Sequence, residues 1–512
     1  MPDVEQPLTG TTPVIAEHTQ QSPTRRAKQA ASLALFGLGV TSIVAGAIAV
    51  PALLVAGVLM TVAAMTVGRV ELDAPTILIV FLGLTLLIPS RLVFPQIGAA
   101  GTPALLFGLL MLGAWCLSRV FSMLDSNTVR HPLRGAAAFI ILSLLASYVW
   151  AAIHRFEGFS FVNLDRGLMV FFSFVGVALF VADSKMTRDE VYRVVDVMLI
   201  MGGVVALIGI VQSMLRFDPV QYIQIPGLSG GVLSIRERFG VRRVTSTARH
   251  PIEFSVVIAT MVPIAIARAN AKWQANRSLF TYGLVALMLL SLATAVSRSG
   301  IVALMAAMLM LLPAMSQQQR STLLAMTPVI LVVGRAAFPG VIGTLRGLFL
   351  NFGSDNSVTY RLSDYAAVEG FIAETPILGR GVRTFDAERF VLLDNQLLLT
   401  VIESGLVGLL AILVYFAVGV GLARGERLRT AASDPDHSQF AQALAAGLIA
   451  LLVSFATFDA THYSMIMGLT AVVSGLAACL WCASGGYDNP VPLNEWAKRL
   501  RAYIRRERSA VT

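Results

Sequence analysis

The chain has 512 residues, 56% hydrophobic and 13% charged, where an ordinary soluble domain carries roughly 25% charged residues. With a mean hydropathy of +0.74, a water-soluble globule is excluded. The formal charge of +9, which in a soluble protein would point to nucleic acid, is read here as a product of membrane topology, so no nucleic-acid partner is expected.

Residues 1–30 are polar and poor in aromatics, which predicts a disordered cytoplasmic tail without a removable signal peptide. Apolar runs follow at 31–49, 51–67, 75–90, 102–118, 135–153, 167–182, 191–215, 251–267, 279–296, 300–315, 321–338, 396–421, 439–458 and 463–482. Each is long enough to be a candidate membrane-spanning helix. The expected fold is therefore an all-α polytopic membrane protein of about 12–14 transmembrane helices, one transmembrane domain over 31–482. Cys116, Cys479 and Cys482 lie in or at the edge of these runs and read as packing residues, not as a disulfide or zinc framework.

With both termini cytoplasmic, the short outward connections hold only Arg91, Arg155, Arg166 and Arg298 among the basic residues, as the positive-inside rule requires. The other outward bases fall in two long connections. Residues 216–250 contain Arg216, Arg236, Arg238, Arg242, Arg243 and Arg249; residues 335–395, whose loop proper runs over about 339–395, contain Arg335, Arg346, Arg361, Arg380, Arg383 and Arg389. Long loops tolerate such charge, so these arginines are either bystanders or ligand groups. The planar guanidinium favours the second reading, because it grips phosphate through two parallel hydrogen bonds. The segment 483–512 reads as a basic amphipathic cytoplasmic tail on anionic membrane lipid, or as a solvated basic tail.

Arg243, Arg249 and His250 precede Pro251 at the mouth of an apolar helix, where free N–H groups favour an anion; His250 on its own reads as a cap. Arg298 sits between two apolar runs with almost no loop, facing a ligand or a lipid head group. Residues 358–373 predict a helix carrying Arg361, and Gly379, Arg380 and Gly381 then form a turn that lets backbone approach a ligand closely. Asp394 and Asn395 stand at the start of the next apolar helix, where Asp394 is either an N-cap or a reactive carboxylate. Glu403 lies deeper in the same run, and an acid there faces either a cavity or an arginine partner. Asp434 and Asp436 read as a solvated turn, and no metal or other cofactor is expected.

The segments Tyr360–Gly381 and Asp394–Gly408 resemble the shared domain of bacterial O-antigen ligases and Wzy-type polysaccharide polymerases. The family pattern of Arg, then Pro-x-x-Gly-x-Gly, is matched by Arg361, Pro376, Gly379 and Gly381. The following pattern, His and Asn/Ser/Gln, nine residues, Gly-x-x-Gly, is matched by Asn395, Gly405 and Gly408, with Asp394 at the histidine position. Arg243 to Pro251 is similar to the family's Arg-x-x-Gly-x-x-x-x-Pro, with Ser246 where the family has glycine.

The resemblance implies a GT-C-like, metal-independent glycosyltransferase at the outer face of the inner or plasma membrane. It would move a glycan from a polyprenyl-pyrophosphate-linked oligosaccharide to a hydroxyl of a glycan or lipid-glycan acceptor, as a polymerase, placed slightly ahead, or a ligase. Arg243, Arg249, Arg298 and Arg361 would then hold the pyrophosphate, and Asp394, with Glu403 in reserve, would replace the histidine as base. A lipid-linked glycan flippase using the same arginines without bond-making is the alternative reading.

Overall fold

The computed structural model describes residues 73–486 apart from 123–129, 216, 231–236, 239–240, 277–278, 338–367, 386–388 and 392. The runs at 31–49 and 51–67, both tails, Arg361 and most of the helix expected over 358–373 lie outside the described residues; within that last stretch, residues 368–374 are helical.

Every apolar run after residue 73 coincides with a helix. The first four are α1 (Ala74–Leu86), α2 (Pro103–Ser122), α3 (Pro132–His154) and α4 (Phe161–Ala182). Next come α5 (Arg188–Met214), α6 (Pro251–Asn276), α7 (Leu279–Thr294) and α8 (Arg298–Leu311). The last are α9 (Gln317–Ala337), α10 (Gln396–Thr430), α11 (Pro435–Phe455) and α12 (Ser464–Ala483). Seven of these, α3, α4, α5, α6, α10, α11 and α12, are long and apolar enough to cross a membrane, and α1, α2, α7 and α8 contribute shorter apolar helices. The chain is an all-α polytopic membrane protein. A two-residue antiparallel ladder, Glu237–Arg238 with Val241–Arg242, lies in the connection between α5 and α6.

Local chemistry sets the helix starts. Thr187 and Glu190 form a reciprocal capping box at α5, and Asp73, Ser160, Ser297 and Asp434 accept N–H groups at α1, α4, α8 and α11. Proline in the first turn of α1, α3 and α11 occupies positions where its missing N–H has no partner to lose.

Burial separates centre from rim. The apolar windows of α6 and α12 are 94% and 89% buried, while that of α3 is 39% buried, so α6 and α12 form the core that α3 helps to wrap. Small residues permit the close crossings: a Cβ on Gly475 of α12 would lie 2.7 Å from Val181 of α4, and one on Gly300 of α8 would lie 2.4 Å from Ser255 of α6.

Candidate functional site

The Pro-x-x-Gly-x-Gly and Gly-x-x-Gly motifs form one object. At Gly405 the backbone of α10 leaves helical geometry, at φ 67° and ψ −172°, a region open essentially to glycine alone. Breaking a helix inside apolar surroundings frees carbonyl and N–H groups that must find partners. The turn after residue 375 supplies them. Leu406 and Val407 donate to the carbonyls of Pro376 and Ile377 at 2.9 and 3.3 Å, while Arg380 and Gly381 donate to those of Ile402 and Glu403 at 2.9 and 2.8 Å. The contact leaves no space for side chains. A Cβ on Gly379 (φ 69°) would lie 2.4 Å from backbone atoms of Glu403 and Ser404, and one on Gly405 would lie 2.0 Å from the Ile377 oxygen. The outcome is a clasp that fixes residues 376–385 against the middle of α10.

The clasp carries two arginines with different surroundings. Arg380 is 4% exposed, donates to the Glu157 carbonyl at 3.0 Å, pairs with Glu374 at 3.2 Å and lies over the rings of Phe371, Phe390 and Phe156. It anchors the turn. Arg383 adopts φ 58° and donates to the Thr461 carbonyl at 3.1 Å. Burial lowers its pKa, and Glu403, which accepts the Arg383 backbone N–H, opposes that shift.

Residues 243–250 form a second plug. Ser246 occupies the left-handed region at φ 53°, which accounts for glycine being the family residue there. Its strain is offset by an Oγ bond to Val205 O at 2.6 Å and by the amide bond to Gln212 Oε1 at 2.7 Å. Thr247 donates to Leu86 O at 2.7 Å, and Val244 N–H reaches Thr294 O. The fully buried Glu253 of α6 then ties the plug to α12, accepting the amides of Arg249 at 2.7 Å and Met465 at 3.1 Å.

Both segments meet the short connection 456–463 between α11 and α12. Gln396, in the first turn of α10, donates its amide to Phe458 O and accepts from Thr461 N–H at 3.1 Å and Thr461 Oγ1 at 2.8 Å. This brings Asp394, Asp459, His462 and Tyr463 into one electrostatic neighbourhood with Arg249 and Arg383. His462 Nδ1 lies 3.5 Å from Asp459 Oδ2. Burial and the neighbouring Asp394 push Asp459 up to about 7, with Arg383 and Arg249 opposing. The protein packed about the ring, together with Arg383 and Arg249, lowers the pKa of His462, although 39% of the side chain stays exposed. Tyr463 is raised by burial and by Asp459, Glu253 and Asp394.

A small cavity opens here. Arg383, Thr461, His462 and Ser464 line its polar end, and Phe81, Leu105, Val170 and Phe174 from α1, α2 and α4 line its apolar end. A second, smaller cavity lies behind the clasp, against Gln396, Thr400, Glu403 and Ser404. Among the described residues no group of three or more His, Cys, Asp or Glu side chains is placed to hold a metal ion.

Of the residues singled out from sequence, Arg249 is exposed and acts on this neighbourhood, and Asp394 is half-buried beside Asp459. Glu403, 3% exposed, backs Arg383 with its Oε1 lacking a hydrogen-bond partner. Gly379 and Gly381 (φ 103°) build the clasp. Asn395, not Asp394, is the N-cap of α10, accepting Leu398 N–H at 3.1 Å. His250 caps α6 by accepting Ile252 N–H at 3.2 Å, and its ring lies 6.0 Å from that of Tyr463. Arg243 donates to Ala295 O at 3.4 Å, at the α7–α8 hairpin whose second helix begins with Arg298. Asp459 and His462 were not among those candidates, and Arg383 was counted only with the other loop arginines. The available signal for those two was an Asp-x-x-His between the last two apolar runs, which counting arginines and lysines alone passes over.

Residues 283–413 match the Wzy_C family model, described as O-antigen ligase, and over that segment the resemblance read from the motifs is shown. The match contains both halves of the clasp; the plug at 243–250 and the connection 456–463 lie outside it. No curated protein matches the chain.

Proposed function

We propose that the protein is a membrane glycosyltransferase that moves a glycan from a polyprenyl-pyrophosphate donor to an acceptor hydroxyl on the outer face of the membrane. The observation that carries this reading is that Arg383 lines one cavity together with His462 and with apolar side chains of α1, α2 and α4, while Arg249 bears electrostatically on the same His462. In the reaction, the acceptor oxygen attacks the anomeric carbon, the bond from that carbon to phosphate oxygen breaks, and the diphosphate departs with the electron pair. Charge accumulates on the diphosphate, where guanidinium groups stabilise the transition state more than the ground state. Arg383 and Arg249 are assigned that role, with Arg243, Arg298 and Arg361 as further phosphate ligands. The apolar walls from α1, α2 and α4 suit the prenyl chain. The arginines would supply the counter-charge without a metal ion.

The test is reconstitution of the purified chain with a polyprenyl-pyrophosphate-linked oligosaccharide as donor, and a second oligosaccharide or a lipid-linked glycan as acceptor. Release of polyprenyl pyrophosphate together with an enlarged glycan is the expected result, and the acceptor used separates polymerase from ligase. Donor that only changes membrane side would establish a flippase instead.

A further inference from the structure

Transfer requires a group that accepts the hydroxyl proton, and Glu403, Asp394, Asp459 and His462 stand in the neighbourhood of Arg383; Asp459 lines neither cavity. Glu403 is buried behind the clasp and lines the smaller cavity, separated from the main one by the Arg383 segment. Asp394 lines neither cavity. His462 lines the main cavity together with Arg383, and 39% of its side chain is exposed, so a hydroxyl group can reach it. Asp459 faces its Nδ1, and no hydrogen bond to Nε2 occurs among the described residues. A ring with a carboxylate 3.5 Å from one nitrogen and the other nitrogen open to the cavity is an arrangement that a general base can use.

We infer that His462, on the connection between α11 and α12, takes the acceptor proton, with Asp459 holding its ring, in the place that the motif at Asp394 and Asn395 would otherwise fill. The inference rests on the transferase reading above. The proton passes from the acceptor oxygen to His462 Nε2 as that oxygen bonds to the anomeric carbon; the diphosphate leaves with its electrons, and the imidazolium later returns the proton to water. Asp459 stabilises the imidazolium in the interval.

The surrounding charges couple this base to the donor. Arg383 from the clasp, Arg249 from the plug and Arg166 from α4 concentrate positive charge here, against Asp459 on the same connection, Asp394 before α10, Glu403 in α10 and Glu253 in α6. With the cavity free of donor, Arg383 and Arg249 make His462 a poor proton acceptor. A bound diphosphate neutralises those guanidinium groups, so the base strengthens when the donor arrives. Water is thereby activated less before glycan is in place.

The test uses the full chain in lipid nanodiscs with the donor and acceptor named above. His462→Gln is expected to lower turnover by about 100-fold or more, while polyprenyl pyrophosphate binds within about twofold of wild type. The acid limb of the turnover–pH profile should disappear with it. His462→Ala, with imidazole added, should regain at least about tenfold, a recovery that a purely structural histidine would not give. Wild type that transfers glycan while His462→Gln retains a third of the rate or more overturns the assignment and leaves the transferase reading intact. Loss of the acid limb in Asp394→Asn, with the limb kept in His462→Gln, moves the base to Asp394 and also overturns it. Wild type that releases no polyprenyl pyrophosphate overturns the transferase reading, and the base with it.

Discussion

Asp183 and Glu403 are both carboxylates sunk in the helical bundle, at opposite ends, and they are treated in opposite ways. Asp183, just after α4, accepts from Trp115 Nε1 at 2.6 Å, His131 Nε2 at 2.9 Å and Arg134 at 2.6 and 3.2 Å. Burial pushes its pKa up, but the bonds from His131, Arg134 and Trp115 outweigh burial and hold it well below the usual carboxylate range. The same end holds Glu426 with His437, Arg429 and Ser484, and Asp196 with Arg268 and Lys272. In these networks each carboxylate meets a cationic partner, although His131 Nδ1 and Arg429 Nε have no hydrogen-bond partner among the described residues. At the other end Glu403 keeps an oxygen without a hydrogen-bond partner, Asp459 is pushed up and His462 is pushed down. A bundle needs satisfied polar layers to stand, and strained ones where a ligand is to complete them.

The comparison can be broken by exchanging the expected phenotypes. The largest effect on activity is expected at Arg383→Ala, a loss of roughly 100- to 1,000-fold in kcat/KM, about 2.7–4 kcal/mol. Arg383→Lys should recover little of it if the diphosphate is held by two parallel bonds. At the opposite end Asp183→Ala should destabilise the fold by about 3 kcal/mol by stranding buried His131, measured as a lower midpoint in detergent, while folded molecules keep their turnover to within about twofold. If Asp183→Ala removed turnover without lowering the midpoint, the two ends would not divide as described. Gly405→Ala sharpens the contrast, because the clasp belongs to both stability and site. A side chain at that backbone conformation costs about 1–3 kcal/mol before its clash with the Ile377 oxygen, so midpoint and activity should fall together.

The smallest effect concerns pH. Asp459 titrates at about 7 when folded and near 3.9 when unfolded, so the folded chain holds a proton the unfolded chain has lost, and stability falls as pH rises between about 4 and 7. His462 titrates at about 3 when folded and near 6.5 when unfolded, so its contribution to stability rises with pH between about 3 and 6.5. The two slopes oppose each other in wild type. Asp459→Asn should leave the rising slope and His462→Gln the falling one, read from midpoints collected across pH 4–7. Identical slopes in both variants would show that the two groups are not shifted in opposite directions.

The sequence was most readable where a single segment decides the structure. The apolar runs of α3, α6 and α12 must become buried or lipid-facing helices whatever else the chain does, and their positions follow directly from residue type. Gly379, Gly381 and Gly405 could be read as points of close approach, but which backbones approach was not readable, since the partner of Gly405 lies 28 residues earlier at Ile377. Two cap-forming residues in succession, Asp394 and Asn395, left the N-cap open by one position, which only the backbone geometry decides. Arg383 and His462 were least readable. Their meaning comes from hydrogen bonds through Thr461 and Gln396 that join segments about 65–80 residues apart, and no local pattern encodes that meeting.

The clasp also limits how the protein can change. Four backbone hydrogen bonds seat residues 376–381 on α10 and the Arg383 guanidinium donates to Thr461 O, so this group is preorganised; in the proposed transfer the lipid head group would come to it. Discrimination between sugars then has to reside on surfaces that the clasp does not hold. Swapping those surfaces between relatives should exchange the glycan transferred while the grip on diphosphate passes through unaltered.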